Sequence, residues 1–255
     1  MQSLMERRAL AVIGELRKHG HAAYMVGGCV RDRCLGREVK DIDIATSASP
    51  EEVLRLFPRT VPTGIRHGTV TVIVDGTPFE VTTFREEAEY KDYRRPEAVR
   101  FIDDLEADLR RRDFTMNAMA LDWNGELIDP FGGRKDLEDG VIRCVGSADE
   151  RFTEDALRMM RCIRFAAEYG LTIVPETYEA ILRHAPLLQH VAMERIRMEL
   201  EHIVGGADPL RGIRLLVDTG LYRWFKDGMG WPAERWEAAA RFAPLEVIGR
   251  LDEPS

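Results

Sequence analysis

The sequence predicts an α+β protein: a mixed sheet with helices over residues 1–148, followed by an all-helical portion. Three observations carry this. Residues 68–74 and 79–84 alternate apolar and polar, are rich in β-branched side chains, and meet at Asp75-Gly76, the signature of a β-hairpin. Strand and helix signals before residue 148 do not alternate strictly, which disfavours a doubly wound parallel sheet. From about residue 150 the apolar spacing is helical and strand signals cease.

The elements follow in order. An amphipathic helix is expected near 4–18, then a short strand at 22–26. Gly27-Gly28 forms a turn of small residues that opens a second short helix, and an acid-bearing strand comes next at about 41–45. Ser49-Pro50-Glu51-Glu52 reads as a helix start, with Ser49 as cap and Pro50 in the first turn. After the hairpin, residues 85–99 are charged and aperiodic and read as a mobile loop. Thr153-Glu154-Asp155 is expected to cap a long helix running to Tyr169, ended by Gly170. Further helices are expected near 176–188, 191–204 and 208–218, and 226–255 reads as the start of another helical unit.

Composition narrows the function classes. A chain of 255 residues, 45% hydrophobic and 31% charged, has ordinary globular make-up. No apolar run is long enough to span a bilayer and no secretory leader is visible, so a cytoplasmic protein without membrane partners is expected. Cys29, Cys34, Cys144 and Cys162 form no CxxC pair and read as reduced, partly buried thiols, not a zinc site. The net charge of −8 argues against a generally basic nucleic-acid binder but leaves room for local patches at Arg94-Arg95, Arg110-Arg111-Arg112 and Arg158/Arg161/Arg164.

The chemistry concentrates in three places. In Lys40-Asp41-Ile42-Asp43-Ile44, residues two apart on a strand point to the same face, so both carboxylates address one pocket. Such a pair suits a hard cation such as Mg²⁺. Backbone N–H groups at Gly27-Gly28 and the following helix start can hold an anion such as a triphosphate. An isolated acid pair would ordinarily be an edge-strand surface; its setting after the glycine turn and Arg31 is what turns it into a nucleotide-transfer site. Glu80, on a neighbouring expected strand, is the candidate third carboxylate, with a plain surface acid as the alternative.

In Arg110-Arg111-Arg112-Asp113-Phe114-Thr115-Met116-Asn117, consecutive arginines cannot share one helix face. One is expected to turn inward, with Asp113 as its partner and Phe114 and Met116 as anchors. A solvated basic helix end is the plainer reading of this segment taken alone. In Glu154-Asp155-Ala156-Leu157-Arg158, Asp155, Arg158 and Arg161 step by three along one helix face, and Glu154 can hold Arg158. An ion-paired helix surface is the usual outcome of such spacing. The sharper reading is base selection. Cytosine and adenine present an amino donor beside a ring-nitrogen acceptor, which an Asp acceptor beside an Arg donor complements; uracil and guanine present the opposite pattern. His67 reads as a turn residue, and Tyr90, Tyr93, Arg94 and Arg95 as an exposed loop able to stack on nucleic acid.

These segments together resemble the class II CCA-adding enzymes, tRNA nucleotidyltransferases of the DNA polymerase β-like superfamily. The matching pieces are GGCVRD with DID, the loop from TTFRE to YRRPE, RRDFTMNA, EDALRMMR and ERIRMEL, over roughly residues 20–205. The resemblance implies a catalytic head over 1–148, a helical neck over 149–205 and the start of a helical body over 206–255. It implies stepwise addition of C, C and A to tRNA 3′ ends from CTP and ATP. By position, Asp41 and Asp43 would bind Mg²⁺. Gly28, Arg31 and Arg112 would touch the nucleotide. Asp155 and Arg158 would select the base, supported by Arg161 and Arg164. Related poly(A) polymerases carry a basic signature after the acid strand that is not seen here, and the full-length loop favours CCA over CC addition. Poly(A) synthesis and a non-catalytic nucleotide- or RNA-binding fragment are the rival readings. Members usually continue past 255 residues, so a truncated or short form is expected.

Overall fold

The computed structural model describes residues 3–88, 98–226 and 232–241. The chain divides between Glu138 and Asp139 into two compact units.

In the first unit, α1 (Leu4–Lys18) starts at a capping box: Ser3 Oγ accepts from Glu6 N–H at 3.1 Å and Glu6 accepts from Ser3 N–H at 2.8 Å. Its buried stripe is Ala9, Val12, Ile13 and Leu16. β1 (Ala23–Val26), α2 (Gly28–Cys34), β2 (Asp43–Thr46) and α3 (Pro50–Leu56) follow. Ser49 caps α3 with Pro50 in its first turn, as the sequence predicts. β3 (Thr60–Gly64), β4 (Thr69–Val74) and β5 (Thr77–Thr83) come next, then β6 (Arg85–Ala88), β7 (Ala98–Phe101) and α4 (Leu105–Arg110). A 3₁₀ turn (Thr115–Asn117), β8 (Ala120–Leu121), β9 (Leu127–Ile128) and α5 (Gly133–Glu138) complete the unit.

The main sheet has the order β3-β4-β5-β2-β1-β8-β9. β2 runs parallel to β5 and antiparallel to β1, so the sheet is mixed. Across β2, β5 and β4 the register aligns Ile44 with Val81 and Val70, all fully buried, on the face covered by α1 and α3. The alternate row aligns Asp43, Glu80 and Thr71 on the opposite face.

Several sequence expectations change here. β2 begins at Asp43, so Asp41 precedes the strand instead of lying in it. The reason is pairing: β1 ends at Val26, opposite Asp43, where the chain turns at Gly27 (φ +74°). β3 was hidden by Pro62; at a sheet edge, a residue without an N–H is tolerated. Part of the expected loop at 85–99 is paired, since β6 and β7 form an antiparallel ladder with Arg85 opposite Phe101. Backbone hydrogen bonds, not an apolar pattern, make that ladder. The rest of the loop, with Tyr90, Tyr93, Arg94, Arg95 and Pro96, lies outside the described residues.

α5 packs on the 3₁₀ turn that carries Asn117. A Cβ added at Gly133 would collide with the Thr115 carbonyl, whose carbon would lie 2.7 Å away. Backbone cannot give way as a side-chain tip can. Gly133→Ala is therefore expected to cost about 1–3 kcal/mol, roughly 5 °C in Tm. A thermal melt matching wild type would refute this packing.

The second unit contains β10 (Val141–Ile142), α6 (Ala148–Glu154), α7 (Leu157–Tyr169), β11 (Thr172–Ile173), α8 (Pro175–His184), α9 (Met193–Val204), α10 (Pro209–Asp218) and α11 (Ala233–Ala239). It is not purely helical: β10 and β11 pair in parallel over two residues each, too short to leave a periodicity. That ladder joins residues 141–142 to the helical portion, so the periodicity switch near 148 falls inside this unit. The helix expected to run to Tyr169 and end at Gly170 is α7, but of the expected cap Thr153 and Glu154 lie in α6, and Asp155 (φ −142°, ψ 102°) separates the two helices. α8 ends at His184 and Pro186 continues as a 3₁₀ turn (Ala185–His190), since Pro has no N–H for the α-helical ladder. Residues 227–231 and 242–255 of the expected last helical unit lie outside the described residues.

Candidate active site

The carboxylates meet on the open face of the sheet. Asp43 and Glu80 are register partners on adjacent parallel strands, so their side chains emerge side by side. Asp41, two residues before Asp43 and exposed, lies near enough for its charge to act on the Asp43 carboxyl. Desolvation and the charges of Glu80 and Asp41 push the Asp43 carboxyl up to about 6, against a smaller opposing pull from Arg112. Like charges held this close form a hard-oxygen donor set that a divalent cation would neutralise. Mg²⁺ ordinarily takes one or two protein carboxylates and fills its octahedron with water and phosphate oxygens. Among the described residues no group of three or more His, Cys, Asp or Glu is placed to hold a metal ion.

The glycine turn lies beside these acids. A Cβ at Gly27 would sit 3.0 Å from Arg112 Nη1, and one at Gly28 would sit 3.4 Å from Arg31 Nη2. Gly27, with its positive φ and 3.0 Å approach, favours a residue without a side chain, while at Gly28 the approach of Arg31 is close to ordinary contact. Arg31 donates to Asp32 Oδ1 at 3.0 Å and to Asn117 Oδ1 at 2.7 Å. Of the consecutive arginines, Arg110 points out and pairs with Glu106 at 2.7 Å. Arg111 and Arg112 both turn inward, onto Asp108 at 2.8 and 3.4 Å. Asp108 is 1% exposed and also accepts from Arg85 N–H at 3.2 Å. Arg112 therefore reaches Asp108 and not Asp113, because α4 places Asp108 one helical turn before it on the same face. Asp113 instead accepts from Phe114 N–H and from Asn117 Nδ2. Neither Asp108 nor Asn117 was singled out from sequence; the i, i+4 spacing of Asp108 and Arg112 was the available signal.

Cys29, in the first turn of α2, donates to Val26 O at 3.3 Å, and burial pushes its thiol up to about 12. It is a neutral packing group at neutral pH. None of the four cysteines forms a disulfide, and Cys34 alone is exposed. His67 sits in a 3₁₀ turn (Ile65–His67), where its carbonyl accepts from Arg85.

In the second unit, Arg158 is buried and its Nη1 donates to Glu154 Oε2 at 2.6 Å, the partner expected from the sequence. Asp155 does not share a helix face with Arg158, because its backbone is extended at the break between α6 and α7. There its Oδ1 accepts from Leu157 N–H at 3.1 Å and its Oδ2 from Arg195 at 2.7 Å. A carboxylate at the start of α7 is favoured by the unpaired N–H groups of the first turn. α9 also supplies Glu199, which accepts from Arg164 at 2.6 Å and lies 3.8 Å from Arg161. Arg195 and Glu199, four residues apart, thus brace the approach to the arginine-bearing helix and its middle. The sequence showed the ERIRMEL motif but not which side chains it would hold.

Residues 23–143 match the family described as the poly A polymerase head domain, and residues 170–229 match the probable RNA- and SrmB-binding site of polymerase A. The chain is 50% identical over 235 residues to the CCA-adding enzyme of Geobacillus kaustophilus, covering 92% of this chain and 58% of that protein. It superposes on the crystal structure of the Bacillus stearothermophilus CCA-adding enzyme in complex with CTP with a TM-score of 0.87 and 46% identity, over 95% of this chain and 59% of that one. The Thermotoga maritima CCA-adding enzyme complexed with tRNA aligns with a TM-score of 0.75 at 26% identity, over 93% of this chain and 56% of that one. The chain spans less than two thirds of the length of these relatives. With a polymerase β-like nucleotidyltransferase head in its first unit, the chain is a homologue of the CCA-adding enzymes over more than nine tenths of its own length.

Proposed function

We propose that this chain carries the nucleotide-transfer site of a CCA-adding enzyme, which extends the 3′ end of tRNA with C, C and A from CTP and ATP and releases pyrophosphate. The observation that carries this reading is the row of carboxylates formed by Asp43 and Glu80 in register with Asp41 beside them, next to a glycine turn flanked by Arg31 and Arg112. Asp41 and Asp43 are the ligands for Mg²⁺, with Glu80 as the third carboxylate. Held there, Mg²⁺ would supply Lewis-acid activation of the attacking 3′-hydroxyl and offset charge on the triphosphate. The turn at Gly27-Gly28 and the two arginines orient the triphosphate for in-line displacement at the α-phosphorus. Asp155 and Arg158 pair with the amino-bearing edge of cytosine or adenine, and Arg161 and Arg164 support that helix. Residues 1–148, 149–205 and 206–255 correspond to head, neck and the start of the body. A protein acting on tRNA in this way works in the cytoplasm; no helix among the described residues is long and apolar enough to cross a membrane.

A second reading is nucleotide binding without efficient tRNA extension. One experiment separates the two. Labelled CTP and ATP are supplied, singly and together, with Mg²⁺ and a tRNA lacking its 3′ end. CCA with a stop after the final A is the expected product. Long A tails would point instead to a poly(A) polymerase. No product, with CTP and ATP still bound by the same sample, would leave the binding reading; no binding of either would overturn both.

A further inference from the structure

We infer that Asn117 is a positioning residue: it sets the Arg31 guanidinium against the Gly27-Gly28 turn and thereby raises the affinity for a nucleotide's triphosphate. The inference rests on the proposed reading of Arg31 and Arg112 as triphosphate ligands.

Asn117 closes the 3₁₀ turn Thr115–Asn117 and is 7% exposed, as are Arg31 and Asp113. Its Oδ1 accepts from Arg31 Nη1 at 2.7 Å, and its Nδ2 donates to Asp113 Oδ1 at 3.0 Å. Its backbone carbonyl accepts from Arg112 Nη1 at 3.4 Å. One residue therefore ties down both arginines, one through its side chain and the other through its main chain.

The chemistry calls here for a side chain that both accepts and donates, as an amide does. A guanidinium has donors and no acceptor, and an ionised carboxylate has acceptors and no donor. A group lying between them must accept on one side and donate on the other. This also fixes the amide orientation, because a flipped Asn117 would oppose both neighbours. Asp in its place would set two carboxylates against each other, and Leu would leave Arg31 held by Asp32 but without its bond at Nη1. Ordering the guanidinium before nucleotide arrives reduces the rotamer freedom lost on binding phosphate.

The two modes of contact make the inference testable by a double-mutant cycle on the full chain, reading Kd for CTP and for inorganic triphosphate. Asn117→Ala is expected to weaken both by a similar factor, about three- to tenfold. Combined with Arg31→Ala it should add almost nothing, since Arg31 is the group through which Asn117 acts. Combined with Arg112→Ala the losses should multiply, since the backbone carbonyl survives the substitution. Multiplying losses with Arg31→Ala, or an effect on CTP alone, would overturn the inference. Wild-type CTP affinity in Arg31→Ala would instead overturn the reading of Arg31 as a ligand. If circular dichroism finds Asn117→Ala unfolded, Asn117→Ser, too short to reach Arg31, carries the same cycle.

Discussion

Asp43→Asn is expected to abolish nucleotide incorporation and, with metal withheld, to make the protein more heat-stable. Both effects come from one source. The carboxyl of Asp43 is pushed up to about 6, first by desolvation and then by Glu80 and Asp41. An acid whose folded pKa exceeds its unfolded value favours folding fully below the unfolded pKa, near 3.8, and loses that advantage as pH rises through about 6. Above that pH, ionised Asp43 therefore opposes folding, and the neutral amide relieves it. Asp43 is exposed at the open face, so solvent screens much of the effect and a rise of a few degrees in Tm is expected. Mg²⁺ should reverse the order by stabilising wild type while leaving the variant nearly unmoved. Transfer should fall by about a thousandfold or more, the scale of losing several kcal/mol of metal-assisted stabilisation. Asp41→Ala should lose transfer alike. Melts of wild type and Asp43→Asn in EDTA from about pH 4 to 8, beside the incorporation assay, check all of this. Parallel melting profiles would remove the charge-crowding account, and retained turnover in the folded variant would remove the metal assignment.

Substitution of Asp155 or Arg158 by Ala is expected to relax base choice, admitting UTP and GTP. A site that hydrogen-bonds the correct edge rejects the reversed pattern because both protein groups would face like partners. Removing one of the pair removes that penalty, so selectivity for CTP over UTP should fall by about a hundredfold or more. Asp155 has both oxygens engaged, by Leu157 N–H and by Arg195, which holds the carboxylate in one orientation with lone pairs left for a base. Arg158 is fixed in the same sense by Glu154. Competition between CTP and UTP, read as a ratio of kcat/KM, is the measurement. Activity lost with the ratio unchanged would show that these residues support the helix and do not read the base.

How much of this was legible in advance depends on the range over which each feature is determined. α1 and α3 carry their own signals, a stripe at helical spacing and a capping box, and both lie where the sequence predicts. The hairpin of β4 and β5 is set by alternation and by Asp75-Gly76. The pairing of Glu154 with Arg158 follows from i, i+4 spacing alone. What depended on distant chain was not legible. β3 and the ladder of β6 with β7 lack an apolar pattern, and β10 with β11 is too short to have one.

The sequence by itself determined the α+β class, the acids, the glycine turn and the arginines, because periodicity, turn chemistry and residue type are local properties. The tertiary structure alone decided the rest. It set Glu80 beside Asp43 by the register of two strands 37 residues apart (80 − 43). It sent Arg112 to Asp108, joined Arg31 to Asn117 across 86 positions, and closed Arg195 on Asp155 across 40. Burial makes these choices. A charged group removed from water must find a partner wherever the fold brings one, and no local pattern in the sequence specifies which distant residue that will be.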